Sequence, residues 1–250
     1  MTKDELQNLD PEQRMKILSR RSFAWGAVAT GLTLGSLKLI ASSQEKNGIP
    51  GFLRSILDAN GNIAGTLTSN ANLSESYPRS MAKPPRTNGL IGLHDEVDTA
   101  DYRLKLEGIG QNSDIELAKV LAMKKTEVVT KFKCVEGWSS IVQAAGVRFS
   151  DFVQAVGLSA ESLPNYCYLA TPDEAYFVGL DRKALLHPQT LLAWEMDGKP
   201  LEPENGAPLR LFIPTKYGIK NLKRVGLIRF QETRPTDYWY ERGYDWFAGL

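Results

Sequence analysis

Metal-binding side chains are scarce in this sequence. Its 250 residues hold two cysteines, Cys134 and Cys167, and two histidines, His94 and His187. Two cysteines cannot build a disulfide framework. With no C-x-x-C or C-x-x-H spacing, zinc has too few ligands. Excess charge is missing too. A formal net charge of +1 gives no overall attraction to polyanions, so nucleic acid is not an expected partner. No G-x-G-x-x-G follows a strand pattern and no G-x-x-x-x-G-K-[ST] occurs, which removes support for dinucleotide and P-loop sites. Long apolar runs are also missing. The amino-terminal apolar stretch without a charge, Ala24 to Leu37, falls short of the ~20 residues a spanning helix needs.

What is present suits one sizeable globular domain with appendages, since 42% of residues are hydrophobic. The amino-terminal part reads as an address. Ser19-Arg20-Arg21-Ser22-Phe23 stands directly before the uncharged stretch, and Ala41-Ser42-Ser43 follows. A basic segment, a short apolar stretch and small residues form the layout of an export signal. The paired arginines resemble a twin-arginine signal. With Leu39 and Ile40 added, the stretch is also suited to an uncleaved membrane anchor. Residues 1–43 are therefore expected to be a signal or anchor. Residues 44–86 read as a linker over the domain surface, punctuated by Asn60-Gly61-Asn62 and Pro84-Pro85, with one short helix over Gly51 to Leu57. The domain is expected over 87–250.

Alternation predicts strands over Tyr102–Gly108, Thr126–Phe132, Tyr166–Leu169, Ala175–Leu180, Leu191–Met196, Leu209–Ile213 and Leu222–Phe230. Short helices are predicted over Ile115–Met123, capped by Ser113 or Asp114, and over Ser150–Val156, capped by Ser150-Asp151. Helical turns are expected over Ser139–Ala145 and Asp181–Leu186. Without a βαβ rhythm this mixture predicts an α+β domain.

Two stretches carry chemistry. Cys134 follows the predicted strand and stands beside Lys131 and Lys133. Neighbouring ammonium groups favour the thiolate, the form that binds metal. A buried thiol or a disulfide with Cys167 is equally compatible with the residues alone. The second stretch, between Asn205 and Gln231, has no acidic residue and holds Arg210, Lys216, Lys220, Lys223, Arg224 and Arg229. Cations beside the glycine turn Asn205-Gly206 suit a phosphate nest, and a solvated strand face fits them as well. The aromatics Tyr238-Trp239-Tyr240 and Tyr244-Asp245-Trp246-Phe247 lie beyond this stretch and read as a packed cap.

Four motifs occur in order: Cys134-Val135-Glu136-Gly137-Trp138-Ser139, His187-Pro188-Gln189-Thr190-Leu191-Leu192, Asn205-Gly206-Ala207-Pro208-Leu209-Arg210, and Pro214 to Lys223. Together they resemble the sulfite-oxidase-like molybdopterin oxidoreductases, in the branch of the periplasmic protein-methionine-sulfoxide reductase catalytic subunits, over roughly residues 86–246. The resemblance implies a single domain of the sulfite-oxidase-type fold and a Mo-molybdopterin cofactor. It implies Cys134 as metal ligand and catalytic residue. Asn88, Ile91, Gly92, Thr171, Asn205, Arg210, Asn221, Leu222 and Lys223 are implied as cofactor contacts. His94 and His187 receive no role from it. The implied activity is oxygen-atom transfer, with reduction of a small or protein-bound S-oxide or similar substrate, in the periplasm. Electrons would be exchanged with a membrane haem subunit. A monomeric catalytic subunit is expected, because the sequence stops before the dimerisation domain of sulfite oxidases. Sulfite oxidases place a small residue and then arginines after the cysteine. Glu136 and Trp138 stand there in this chain, so an anionic substrate such as sulfite is not expected. The alternative is an exported binding module that keeps the fold without metal.

Overall fold

The computed structural model describes residues 33, 35–40, 42–46, 48–110 and 112–250. Arg20, Arg21 and most of the uncharged stretch lie outside them. The chain divides into two units, Met1–Ile56 and Leu57–Leu250. In the first, residues 35–40 are helical. Strands β1 (Glu45–Lys46) and β2 (Ile49–Pro50) then pair as a small hairpin. Helix α1 follows over Gly51–Leu67, ten residues longer than its expected end at Leu57. Among the described residues no helix is long and apolar enough to cross a membrane.

The second unit is built on two five-stranded sheets. One holds β5 (Thr126–Lys133), β6 (Ser139–Arg148), β9 (Leu191–Met196), β10 (Lys199–Pro200) and β11 (Arg210–Phe212), with β9 pairing β6, β10 and β11. The other runs in the order β4 (Ser113–Glu116), β3 (Arg103–Glu107), β12 (Leu227–Gln231), β7 (Tyr166–Ala170), β8 (Phe177–Asp181). All pairs are antiparallel except β3 with β12. The main core takes side chains from both sheets, among them Leu104, Val147, Leu169, Leu192, Leu211 and Ile228, with Phe149 and Phe152 from helix α3 (Phe149–Ala155). Short helices α2 (Leu117–Leu121) and α4 (Arg182–Leu185) complete the unit. Asp181 caps α4 by accepting from Ala184 N. This is the mixed α+β arrangement expected.

Two local expectations are corrected. Residues 139–145 are not a helical turn but most of β6, the central strand paired with both β5 and β9. The first sheet is buried on both faces, with a second cluster of Val128, Val142, Ala144, Ala193 and Phe212 on the far side. A strand buried on both faces reads as a continuous apolar run and loses its alternation. Gly146 marks a register shift in this strand. A Cβ there would stand 2.0 Å from Leu192 O, so only glycine allows β6 and β9 to approach. Residues 113–116, expected as a helix start, instead form β4 against β3. Helix α3 forms where predicted, but its first turn has no side-chain cap.

The stretch before the domain is laid onto it. Ser74 N donates to Gln189 Oε1 at 2.8 Å, Tyr77 N to Val129 O at 3.0 Å and Lys83 N to Ile141 O at 2.9 Å. The last two bonds extend the β5–β6 hairpin by short lengths of edge pairing, and Arg86 and Asn88 then reach the loop that closes that hairpin.

Candidate functional site

Cys134 sits in the five-residue loop that joins β5 to β6. The loop closes on itself: Cys134 N donates to Trp138 O at 3.0 Å and Gly137 N to Cys134 O at 3.1 Å. Gly137 takes φ +88°, a conformation open to glycine at little cost. This turn aims the thiol inward. Cys134 is 7% exposed and lines a cleft of about 340 Å³. Cys167 is a strand residue of the main core, and burial pushes its thiol well above the ordinary range. Both cysteines are free, so the disulfide left open by the sequence is not formed.

The cleft gathers Asn88, Ile91, Cys134, Arg210, Asn221 and Lys223 from four separate parts of the sequence. Gly92, Thr171, Asn205 and Leu222 are not among the residues lining it and stand behind. Gly92 and Thr171 abut, since a Cβ on Gly92 would lie 2.6 Å from Thr171 Oγ1. The Thr171 hydroxyl bonds Asp173 Oδ1 and accepts from Tyr176 N, so it shapes the turn that presents Tyr176 to the cleft. Leu222 packs in the main core.

Arg210 is the electrostatic centre of the deep end. Nη1 donates to Asn205 O at 2.9 Å and Nη2 lies 3.4 Å from Asn221 O. Its Nε has no partner. No carboxylate among the described residues pairs with it, and burial pulls its pKa down to about 10. The neighbouring Asn205 Oδ1 is also buried without a partner. A buried guanidinium without an anion is costly by itself. The unsatisfied Nε donor is what a site completed by an anionic, hydrogen-bond-accepting ligand would leave. Gly206 permits this arrangement. It takes φ +100°, and a Cβ there would meet Lys223 Cβ at 2.8 Å.

Lys223 lies beside Arg210, and burial brings its amine down to about 8, the Arg210 charge adding to the effect. Its Nζ donates to Asn88 O, Gly89 O and Glu204 O at 2.8, 2.9 and 2.8 Å. The Asn221 side chain is used locally, with Oδ1 accepting from Ile213 N at 2.6 Å and Nδ2 donating to Tyr217 O at 3.1 Å. It fixes the turn whose backbone lines the cleft.

The basic stretch is therefore not a solvated face. Arg210, Lys216, Lys220 and Arg224 are all buried. Two of them leave the site altogether. Lys220 pairs with Asp237 at 2.6 Å, and Lys216 lies 3.6 Å from Asp181.

At the mouth, Glu136 Oε2 accepts from Trp138 Nε1 at 2.8 Å and from Asn88 Nδ2 at 3.2 Å. The same Asn88 amide lies 3.8 Å from Cys134 Sγ. The Arg86 guanidinium covers the Trp138 ring at 5.0 Å. Glu136 is the one carboxylate that lines the cleft. Tyr176, Trp239 and Tyr244 form an aromatic wall, with Trp239 Nε1 donating to Tyr176 Oη at 3.0 Å. Burial, with the Asp237 charge adding to it, holds the Tyr176 phenol above its ordinary range. Trp239 and Tyr244 were expected only as part of a packed cap. Their spacing carries no sign that they face a cleft. His187 is bonded to main chain at Asn72 O and Gln189 N, and His94 is exposed.

One cysteine with no group of metal-ligating residues around it, among the described residues, and a buried guanidinium without an anion define a class of site. Such a site suits a metal that arrives with ligands of its own on an anionic organic cofactor. Comparison with known proteins identifies that cofactor. Residues 91–239 match the family described as the oxidoreductase molybdopterin binding domain, and the chain belongs to that family. Its cofactor is Mo-molybdopterin, and the chain is an enzyme of the sulfite-oxidase-type fold.

The chain is 31% identical over 246 residues to YedZ1 of Azospira oryzae, a subunit assigned to a protein-methionine-sulfoxide reductase; the match covers 96% of this chain and 91% of that protein. It is 35% identical over 138 residues to the protein-methionine-sulfoxide reductase catalytic subunit MsrP of Xanthomonas axonopodis, covering 50% of this chain and 42% of MsrP. The MsrP of Campylobacter jejuni is 29% identical over 164 residues, covering 60% of this chain and 55% of that protein. The chain thus spans about half the length of these two MsrP relatives. Among solved structures, the sulfane dehydrogenase SoxCD of Paracoccus pantotrophus shares the fold, with TM-score 0.51 and 19% identity over 66% of this chain and 46% of that one.

Proposed function

We propose that this chain is an exported reductase that removes an oxygen atom from a neutral organic S-oxide, with electrons delivered by a membrane haem subunit. The observation that carries this reading is the mouth of the cleft. A fixed carboxylate, Glu136, stands beside Cys134 and balances the charge of Arg86, where an anionic substrate would need a surplus of cations. Glu136 offsets the Arg86 guanidinium that also lines the mouth, which leaves no net positive charge there to draw an anion such as sulfite, and the wall of Trp138, Tyr176, Trp239 and Tyr244 offers apolar surface to the organic part of a dipolar oxide. The overall reaction takes an S-oxide, two protons and two electrons to a sulfide and water.

Within this reading Cys134 is the protein's ligand to molybdenum. Arg210 seats the anionic end of the cofactor, and Asn205 supports it from behind by accepting from Nη1. Ile91 flanks it, and Gly92, Thr171, Asn221, Leu222 and Lys223 shape its seat. When bound, the molybdenum centre supplies two-electron oxygen-atom transfer. The protein's part is orientation, exclusion of water and charge placement. Asn88 holds Glu136 in place and directs an N–H toward the Cys134 sulfur, where a charge-assisted bond steadies a thiolate.

Export by the twin-arginine route rests on Arg20, Arg21 and the uncharged stretch after them. The similarity to proteins named as reductase subunits supports a partner subunit. A screen with reduced viologen as donor tests the activity, because the dye bypasses the physiological partner. Turnover of S-oxides, absent in Cys134→Ala and with little or no reaction toward sulfite, is the expected result; preferred turnover of an anionic oxide would reverse the assignment. Residues 1–43 fused to a folded reporter test export, which is expected to stop in Arg20→Lys/Arg21→Lys.

A further inference from the structure

Residues 84–95 form one wall of the cleft, and they differ from the sheet walls in how they are held. Among the described residues they make one backbone-to-backbone hydrogen bond, Leu93 N to Leu90 O, and join neither sheet. What else fastens them is made by side chains: Asn88 and Arg86 reach the 134–138 loop, and the larger set of bonds runs to the 204–224 segment. Lys223 uses its three N–H groups on the carbonyls of Asn88, Gly89 and Glu204. Arg224 Nη1 donates to Asp95 O at 2.7 Å, and Thr87 Oγ1 to Glu204 Oε1 at 2.9 Å. The opposite walls, at Phe132, Ser140, Val142 and Met196, belong to β5, β6 and β9 and are held by the sheet ladder. Upstream, Lys83 is fixed to Ile141. A cofactor that seats against buried Arg210 therefore meets one wall able to swing aside without breaking a ladder.

We propose that residues 84–95 are a strap that closes over the seated cofactor, and that Lys223 is its latch. Lys223 is a positioning residue. It acts through Asn88, whose carbonyl it holds and whose amide reaches Cys134 Sγ and Glu136. The strap rests on the reading of Cys134 and Arg210 as the cofactor seat; the latch itself does not.

Hydrogen exchange on the full chain, with and without cofactor, tests this. Lys223→Met keeps the stem and removes the donors. Loss of these bonds is expected to raise amide exchange in 84–95 by about ten-fold in the cofactor-free chain, with β5 and β6 unchanged. Release of the pterin, followed by its fluorescence after oxidation, is expected to quicken by a similar factor. Unchanged exchange in 84–95 overturns the latch, even if release quickens, because Lys223 would then be holding the cofactor directly. If Lys223→Met fails to accumulate, Thr87→Val and Arg224→Met loosen the same strap at other fastenings, and unchanged exchange in both overturns the proposal. Retention of pterin in Arg210→Met would instead contradict the seat and leave the latch standing.

Discussion

The Arg210 guanidinium donates to the carbonyl of Asn205 at 2.9 Å, yet its Nε and the Asn205 Oδ1 both remain without partners. One residue is then asked to do opposite things in two states. Without cofactor it is a buried cation lacking an anion; with cofactor it is paired. Arg210→Met is expected to stabilise the cofactor-free chain by about 1–2 kcal/mol in urea unfolding, and to abolish cofactor retention. A loss of cofactor-free stability would mean that Arg210 is already satisfied within the fold.

Lys220 and Asp237 form a pair of a different kind. Lys220 Nζ reaches Asp237 Oδ2 at 2.6 Å and Gly179 O at 2.9 Å over the Trp246 ring. Asp237 also accepts from the backbone of Gly179, Trp239 and Tyr240. It ties β8 to the turn that carries the aromatic wall. Asp237→Ala strands a buried ammonium and opens three backbone bonds, and is expected to cost about 3–5 kcal/mol. Lys220→Met/Asp237→Asn is expected to be less damaging than Asp237→Ala alone, because it leaves no unpaired charge. Thermal unfolding of the variants distinguishes these outcomes.

His187 gives the fold an acid limit. Its Nδ1 accepts from Gln189 N at 3.2 Å and its Nε2 lies 3.2 Å from Asn72 O, so the neutral ring with a proton on Nε2 satisfies both neighbours. Burial lowers its pKa below the ordinary value. The unfolded chain then takes up the proton first as pH falls, and this contribution to stability, complete above about pH 6.5, is lost below it. Unfolding free energies measured from neutral pH downward are expected to fall less steeply for His187→Gln than for the unsubstituted chain. Equal slopes would show that the ring titrates freely in the folded protein.

Much of this was legible in the sequence, for physical reasons that differ by element. Strands with one wet face, such as Arg103–Glu107, alternate and are read directly. The helical turn expected at Asp181 forms as α4, whereas the cap expected at Ser150-Asp151 makes no capping bond. Strand β6 was hidden because both its faces are buried, which makes Ala144, Ala145 and Val147 resemble a helical run. In the site, Cys134, Asn88, Ile91, Arg210, Asn221 and Lys223 converge on one cleft, and their motifs named them in advance. Tyr176, Trp239 and Tyr244 were missed as cleft residues. Their place depends on the turn shaped by Thr171 and on Asp237, both long-range arrangements with no local signature. The division of the basic stretch was also hidden. Charge composition alone cannot show that Lys216 and Lys220 turn to aspartates and away from the cleft while Arg210 stays unpaired.

The molybdenum environment tests the central claim most directly. Close to one molybdenum per chain is expected in protein purified from a host that makes the cofactor, and X-ray absorption should show one sulfur neighbour fewer in Cys134→Ala than in the unsubstituted chain. A folded, unsubstituted chain without molybdenum, or a Cys134→Ala variant with an unchanged sulfur count, would contradict it.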